Sequence, residues 1–279
     1  MEKTLYVSDL DGTLLRSDQR ISRESCDIIN RLVGEGMLFT YATARSLVTA
    51  SRVTSGLTAR MPLILYNGAF TVDSADGSIL DSAFLENDLA QSILDRCFAL
   101  GIYPIVYAYI DGKEHYSIVP KLCGRAIEEF DASRLNDPRR RVTDPEGLRM
   151  GDIFYITLIG NDRIAEAYEL FGNEPRLNCI YQKDIYSGEQ WLEMIPREAT
   201  KAAAIKRLSE SLGCERVVCF GDAVNDLPMF EAADECYATA NAAPELKAKA
   251  TAVIGSNDDD AVAKWLEANA RFSGSRTAL

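Results

Sequence analysis

The sequence predicts an α/β protein in which a doubly wound, mostly parallel sheet is assembled from two separated segments, with an α+β domain inserted between them. Three observations predict it. Short apolar, β-rich runs alternate with helical periodicity over the first third of the chain, the alternation returns after residue 200, and the stretch between them has a hairpin-like texture.

In order, residues 4–7 read as a strand, 22–34 as a helix, 37–41 as a second strand, then another helix and a third strand at 63–66. Near the end, Lys201–Leu212 reads as a helix stopped by Gly213, 216–220 as a strand, and a further helix begins near Asp226. Between these, Ile105–Ile110, the Asp111-Gly112 pair and 115–119 have the pattern of a β-hairpin, because Asp-Gly supplies the positive backbone angles of a tight turn. Residues 153–159 read as another strand. The expected division is 1–82 and 188–279 for a Rossmann-like core, and 83–187 for the inserted domain.

A chain of 279 residues is near the upper end of what one hydrophobic core serves, so two unequal domains are expected. Thirty basic against 42 acidic residues give a net charge of −12, which argues against nucleic acid or an anionic membrane as the main partner. The same balance constrains any phosphate pocket. Like charges about 4 Å apart repel by about 4 kcal/mol at an effective dielectric of about 20, so such a pocket needs concentrated positive charge, and a divalent cation is the obvious source. The seven cysteines are scattered and odd in number, as expected of reduced thiols. No signal-peptide pattern or membrane-length apolar run is present, and the expectation is a cytoplasmic protein, monomeric or a small homo-oligomer.

Polar clusters follow the core strands, where ligands bind in a doubly wound sheet. The first is Ser8-Asp9-Leu10-Asp11-Gly12-Thr13. One carboxylate there can attack phosphorus and a second can exchange a proton with the leaving group, although Asp and Gly also fill ordinary strand-to-helix turns. The second, Ala42-Thr43-Ala44-Arg45, offers a hydroxyl and amides at a helix start, which can cradle phosphate or simply cap the helix. Lys201, after the capping Thr200, is disfavoured by the helix dipole unless its charge serves a ligand. The fourth, Gly221-Asp222-Ala223-Val224-Asn225-Asp226, offers hard oxygen donors suited to magnesium.

Jointly, these residues resemble the Cof-like phosphatases of the haloacid dehalogenase superfamily. The resemblance rests on Asp9-Leu10-Asp11-Gly12-Thr13, Thr43 with Arg45, Asn67-Gly68-Ala69, Lys201, Gly221-Asp222 with Asn225-Asp226, and the tail elements Ala240-Asn241-Ala242 and 256–260. It implies a magnesium-dependent phosphatase of a small phosphorylated metabolite, with Asp9 as nucleophile, an aspartyl-phosphate intermediate, and Asp11 as general acid and base. It further implies that Asp9, Asp222 and the backbone oxygen of Asp11 hold the metal, that Leu10, Thr43, Ala44, Lys201 and Asn225 hold the phosphoryl oxygens, and that Asp226 and Arg45 support them. The inserted domain becomes a specificity cap. Ala44, Ala202 and Ala261 stand where relatives carry glycine, which bears on the fit of the phosphate pocket.

Other conspicuous residues receive structural readings. His115 and Trp191 read as packed side chains, and the runs 139–141 and 258–260 as solvated loops. A phosphosugar mutase of the same superfamily and a catalytically silent phosphate- or metal-binding regulator are the competing functions.

Overall fold

The computed structural model describes residues 2–160, 162–183 and 188–272. It divides into two compact units, one formed by Met1–Ser82 with Ala199–Leu279 and the other by Ala83–Glu198.

In the first unit five parallel strands lie in the order Ala252–Val253, Glu235–Ala238, Arg216–Gly221, Thr4–Ser8, Leu38–Tyr41. Alternation of side chains feeds both faces. Leu5, Val7 and Cys219 join Ile205, Leu208 and Phe230 of the helices Lys201–Leu212 and Leu227–Glu231 in one core cluster. Their neighbours Tyr6 and Phe220 instead meet Trp265 of the helix Ala261–Asn269. The helices behave as their ends dictate. Arg23–Gly34 is capped by Ser22, whose hydroxyl accepts from the Ser25 amide, and Lys201–Leu212 is capped by Thr200 and ends at left-handed Gly213.

Three differences from the sequence reading stand out in this unit. The third strand, Pro62–Leu65, pairs antiparallel with Phe70–Asp73, which pairs with Ile79–Ser82, and it meets the parallel sheet through a single bridge between Ala42 and Ile64. Second, the run 258–260 is solvated at Asp258 and Asp259 but not at its last residue. Asp260 is 3% exposed, pairs with the Arg16 guanidinium and accepts from the Ser25 hydroxyl. Burial would disfavour its charged form, but these partners outweigh that cost and hold its carboxyl below the usual range. Third, the core resumes at Ala199 rather than 188.

The reason for that third difference lies in the second unit. The strand Gln190–Pro196 pairs antiparallel with both Leu177–Lys183 and Asp152–Ile159, inside a sheet ordered Leu177–Lys183, Gln190–Pro196, Asp152–Ile159, Ile105–Ile110, Lys113–Ile118, Arg140–Val142. The positions 184–187 and 273–279 of the expected ranges lie outside the described residues. The Asp111-Gly112 hairpin forms as its residues require, with φ of +51° and +73°. Helices Asn87–Ala99 and Ile164–Phe171 cover one face, with Ile93 and Ala167 in its core, and Ile127 of Arg125–Ala132 joins Ile105, Tyr116 and Ile118 on the other.

Trp191 packs against Phe130 in that second cluster, as its packing reading expects. The arginine run is buried at Arg139 and half-buried at Arg140 and Arg141. Arg139 is 7% exposed between Asp137 and Glu114, Arg140 forks onto Asp131, and Arg141 donates to the Gly147 carbonyl. No helix among the described residues is long and apolar enough to cross a membrane.

Candidate active site

The strands Thr4–Ser8 and Arg216–Gly221 are adjacent, parallel and in register, with Ser8 beside Phe220. Strand order reverses between them. The chain steps from the first toward Leu38–Tyr41 and from the second toward Glu235–Ala238, so their carboxyl ends mark the switch point at which doubly wound sheets take their ligands. Asp9 leaves the first strand with its amide donating to the Phe220 carbonyl at 2.9 Å and its side chain 7% exposed as a residue. Asp222 follows the end of the second strand, one register position beyond Asp9.

The turn after Asp9 is built around Gly12, whose φ of +78° suits glycine alone without strain. A Cβ there would also collide with the Asp222 carboxylate. The turn brings the Thr13 hydroxyl to Asp222 Oδ1, to which it donates at 2.9 Å, and the Asn241 side chain donates to the Gly12 carbonyl at 2.7 Å. The sequence reading assigned no role to Thr13 or Asn241. Both were visible within its motifs, but a side chain that braces a loop has no spacing signature of its own.

Lys201 begins its helix 5% exposed and donates to Asp9 Oδ1 at 2.5 Å and to Asp226 Oδ1 at 2.8 Å. Asp226 is fully buried, and its other oxygen accepts from the amides of Asp222 and Ala223 at 3.1 and 3.2 Å. One carboxylate oxygen each from Asp9, Asp222 and Asp226 lie within 4.8 Å of one another. Asp226 already accepts from three donors, which suits support more than ligation.

The electrostatics of this group are unbalanced. Three carboxylates face one ammonium, a formal excess of −2. Burial pushes the Asp9 carboxyl well above the usual range, with Lys201 opposing and the Asp226 and Asp222 charges adding to the rise. Burial and then Asp226 push Asp222 up to about 6, against the Thr13 hydrogen bond. Burial works against the Lys201 ammonium, but Asp226 and Asp9 outweigh it and hold its pKa above the ordinary value. A hard divalent cation among these oxygens would cancel the excess, so the donor set fits one.

Around this centre, Thr43 is 1% exposed, and its hydroxyl accepts from the Arg45 amide at 3.1 Å. Its own amide and carbonyl are committed to Ile64 O and Asn67 N. Ala44 between them is exposed, with an amide that meets no acceptor among the described residues. Arg45 forks onto Asp11, with Nε to Oδ2 at 2.8 Å and Nη2 to Oδ1 at 2.6 Å. Leu10 is fully buried at the start of the Gly12 turn. Gly68, with φ of +100°, lies so close to the Thr200 carbonyl that a Cβ would collide, which fixes the Asn67-Gly68 turn against the start of the Lys201 helix.

The structure thus brings Asp9, Asp222, Asp226 and Lys201 into one cluster and couples Asp11 to Arg45. Asn225 sits on the turn Val224–Asp226 but is exposed and makes no side-chain hydrogen bond among the described residues. Of the alanines in place of glycine, Ala261 opens its helix after left-handed Asp260, which takes the positive φ of 57° itself.

Comparison with known proteins agrees with this arrangement. The family model described as haloacid dehalogenase-like hydrolase matches residues 6–266. The chain is 28% identical over 284 residues to the 5-amino-6-(5-phospho-D-ribitylamino)uracil phosphatase YwtE of Bacillus subtilis, covering 93% of this chain and 95% of that one. It is 28% identical over 273 residues to the HMP-PP phosphatase of Serratia proteamaculans, covering 94% of each. The crystal structure of a Thermotoga maritima protein superposes with a TM-score of 0.79 at 25% identity, covering 98% of this chain and 99% of that one. A haloacid dehalogenase-like hydrolase from Bacteroides thetaiotaomicron shares the fold, with a TM-score of 0.77 at 22% identity and coverage of 96% and 99%. With the family model spanning nearly the whole chain, the protein belongs to the haloacid dehalogenase-like hydrolases.

Proposed function

We propose that the protein is a magnesium-dependent phosphatase that hydrolyses a small phosphorylated metabolite through an aspartyl-phosphate on Asp9. One observation carries the reading: a buried nucleophile candidate at the switch point of the sheet shares its site with Asp222, Asp226 and Lys201, whose charges sum with its own to −2. Such a site is suited to a divalent cation and a phosphoryl group together. Two curated relatives being named as phosphatases of small phosphorylated compounds supports the same class.

Asp9 and Asp222 would hold the cation by side chain, with the Asp11 backbone oxygen. When bound, the ion supplies Lewis-acid polarisation of the phosphoryl oxygens and cancels the repulsion between phosphate and carboxylates. The chain's own groups do the rest. An Asp9 oxygen attacks phosphorus while the bond to the leaving oxygen breaks, and Asp11 gives that oxygen its proton. Water then attacks phosphorus, Asp11 takes the water proton, and Asp9 is released with inorganic phosphate. Both Asp11 oxygens are held by Arg45 in this structure, so proton transfer requires one arm of that fork to open. Lys201 and the free Ala44 amide would hold phosphoryl oxygens, with Thr43 and Asn225 completing the cradle and Asp226 fixing Lys201. The unit Ala83–Glu198 would act as the cap that excludes water and selects the leaving group. A cytoplasmic location remains the expectation from composition.

The test is turnover of p-nitrophenyl phosphate with magnesium by wild type and Asp9→Asn. Loss of turnover in the variant, with released phosphate carrying oxygen from labelled water, is expected. Retained turnover in Asp9→Asn would refute the reading.

A further inference from the structure

The first unit carries a second concave site outside the carboxylate cluster. A cavity of about 530 Å³ opens among Arg20, Arg23, Arg52, Asp27, Cys26 and Gly56. Its walls are fixed by hydrogen bonds: the Ile21 amide donates to the Val53 carbonyl at 3.2 Å, and the Asn30 side chain donates to the Gly56 carbonyl at 2.9 Å. Gly56 closes against Cys26 so tightly that a Cβ would collide with its sulfur.

The charge of this cavity runs against that of the protein. Three arginines and one aspartate line it, +3 − 1 = +2, in a chain of net −12. Most other described arginines of the same unit are matched to carboxylates, among them Arg31 to Glu267, Arg45 to Asp11, Arg60 to Asp73 and Arg207 to Asp81. Here Arg20 and Arg52 form no ion pair with a described carboxylate, and Arg23 has only a 3.7 Å approach to Asp27. Three exposed arginines, from two helices and the segment before one of them, border one open cavity with fewer acids than they could bind.

We propose that this cavity is a binding site for a phosphate-bearing anion, separate from the Asp9 cluster. Guanidinium forks match phosphate oxygens two at a time, and the cavity volume is that of a small-metabolite site. An anion held there would bridge Arg52, in the last turn of Leu47–Val53, to Arg20 and Arg23 at the start of Arg23–Gly34. The helix Leu47–Val53 begins at Ser46, directly after Arg45, so the ligand would fasten the far end of an element that starts beside Asp11.

The test is an equilibrium titration of the full chain with inorganic phosphate in EDTA, using wild type, Arg20→Ala/Arg52→Ala and Asp9→Asn. Saturable binding by wild type, weakened by at least about tenfold in the double-arginine variant and unchanged in Asp9→Asn, is expected, a loss equivalent to about 1.4 kcal/mol. The double variant should keep wild-type turnover with magnesium, since neither arginine touches the Asp9 cluster. Absence of saturable binding, equal affinity in wild type and double variant, or loss confined to Asp9→Asn would each overturn the proposal. Failure of the phosphatase reading would appear as absent turnover and leave this titration unaffected.

Discussion

Neutralising Asp222 should make the metal-free protein more stable while removing its response to magnesium. Asp222 is pushed from 3.8 up to about 6 in the folded chain. The sign follows from linkage. A carboxyl whose folded pKa is raised adds stability below its unfolded value, and that contribution is lost as pH rises through about 6, so at neutral pH the ionised group costs stability. The shift of 6 − 3.8, about 2 units at about 1.4 kcal/mol each, gives roughly 3 kcal/mol, and partial exposure reduces this to roughly 1–2 kcal/mol. Asp222→Asn removes the charge and keeps an oxygen for the Thr13 hydroxyl. At about 2–4 °C per kcal/mol for a unit of this size, its Tm in EDTA at pH 7.5 should rise by roughly 2–8 °C. The gap should close toward pH 4.5, where wild-type Asp222 is already protonated when folded. Added magnesium should raise the Tm of wild type alone, because only a chain that binds it gains by mass action. Calorimetric or fluorescence melts at the two pH values, with and without magnesium, decide it. A variant less stable than wild type in EDTA at pH 7.5 would show that Asp222 is not electrostatically strained, and the argument for a cation built on that strain would fail.

Four further outcomes follow from the geometry. Gly12→Ala should lower turnover by at least about 100-fold, because its Cβ displaces Asp222 and its φ of +78° becomes strained at roughly 1–2 kcal/mol; steady-state kinetics beside a melt separates the two effects. Asp11→Asn should slow hydrolysis of alkyl phosphates by roughly 10²–10⁴ and that of p-nitrophenyl phosphate far less, since a good leaving group needs no proton; equal losses would remove Asp11 from the acid role. Lys201→Met should destabilise the metal-free chain by roughly 3–5 kcal/mol by leaving Asp9 and Asp226 uncompensated, with magnesium restoring part of the loss in a urea titration. Asp260→Ala should cost about 3 kcal/mol, as Arg16 and Ser25 lose their shared acceptor, while kcat at saturating magnesium stays near wild type.

The candidate site was legible because its chemistry sits at strand ends. Asp9, Thr43 and Asp222 each follow an apolar run, and a parallel sheet delivers such positions to one edge whatever their separation in sequence. Lys201 was legible because a lysine at a capped helix start opposes the dipole, and it is found buried against two carboxylates. What escaped was partner choice. Residues 190–196 form a strand on any reading, but only pairing with Leu177–Lys183 and Asp152–Ile159 assigns them to the second unit. The run 139–141 and Asp260 look solvated by composition, whereas Asp131, Asp137 and Arg16, distant or unremarkable in sequence, draw them inward. Strand Pro62–Leu65 turned into an antiparallel ribbon because Tyr66 and Asn67 adopt positive φ, which no hydrophobic pattern records.

The chain leaves the first unit after Ser82 and re-enters it at Ala199, so the central strand Thr4–Ser8 gains its Arg216–Gly221 neighbour only across that long excursion. During synthesis the contiguous stretch 83–198 is complete while Leu5 and Val7 still lack one flank. Closing so distant a contact is slow, and the waiting apolar ribbon is open to wrong partners. A chain truncated after Glu215 and released from the ribosome should therefore have one protease-resistant body and a sticky, unfinished half.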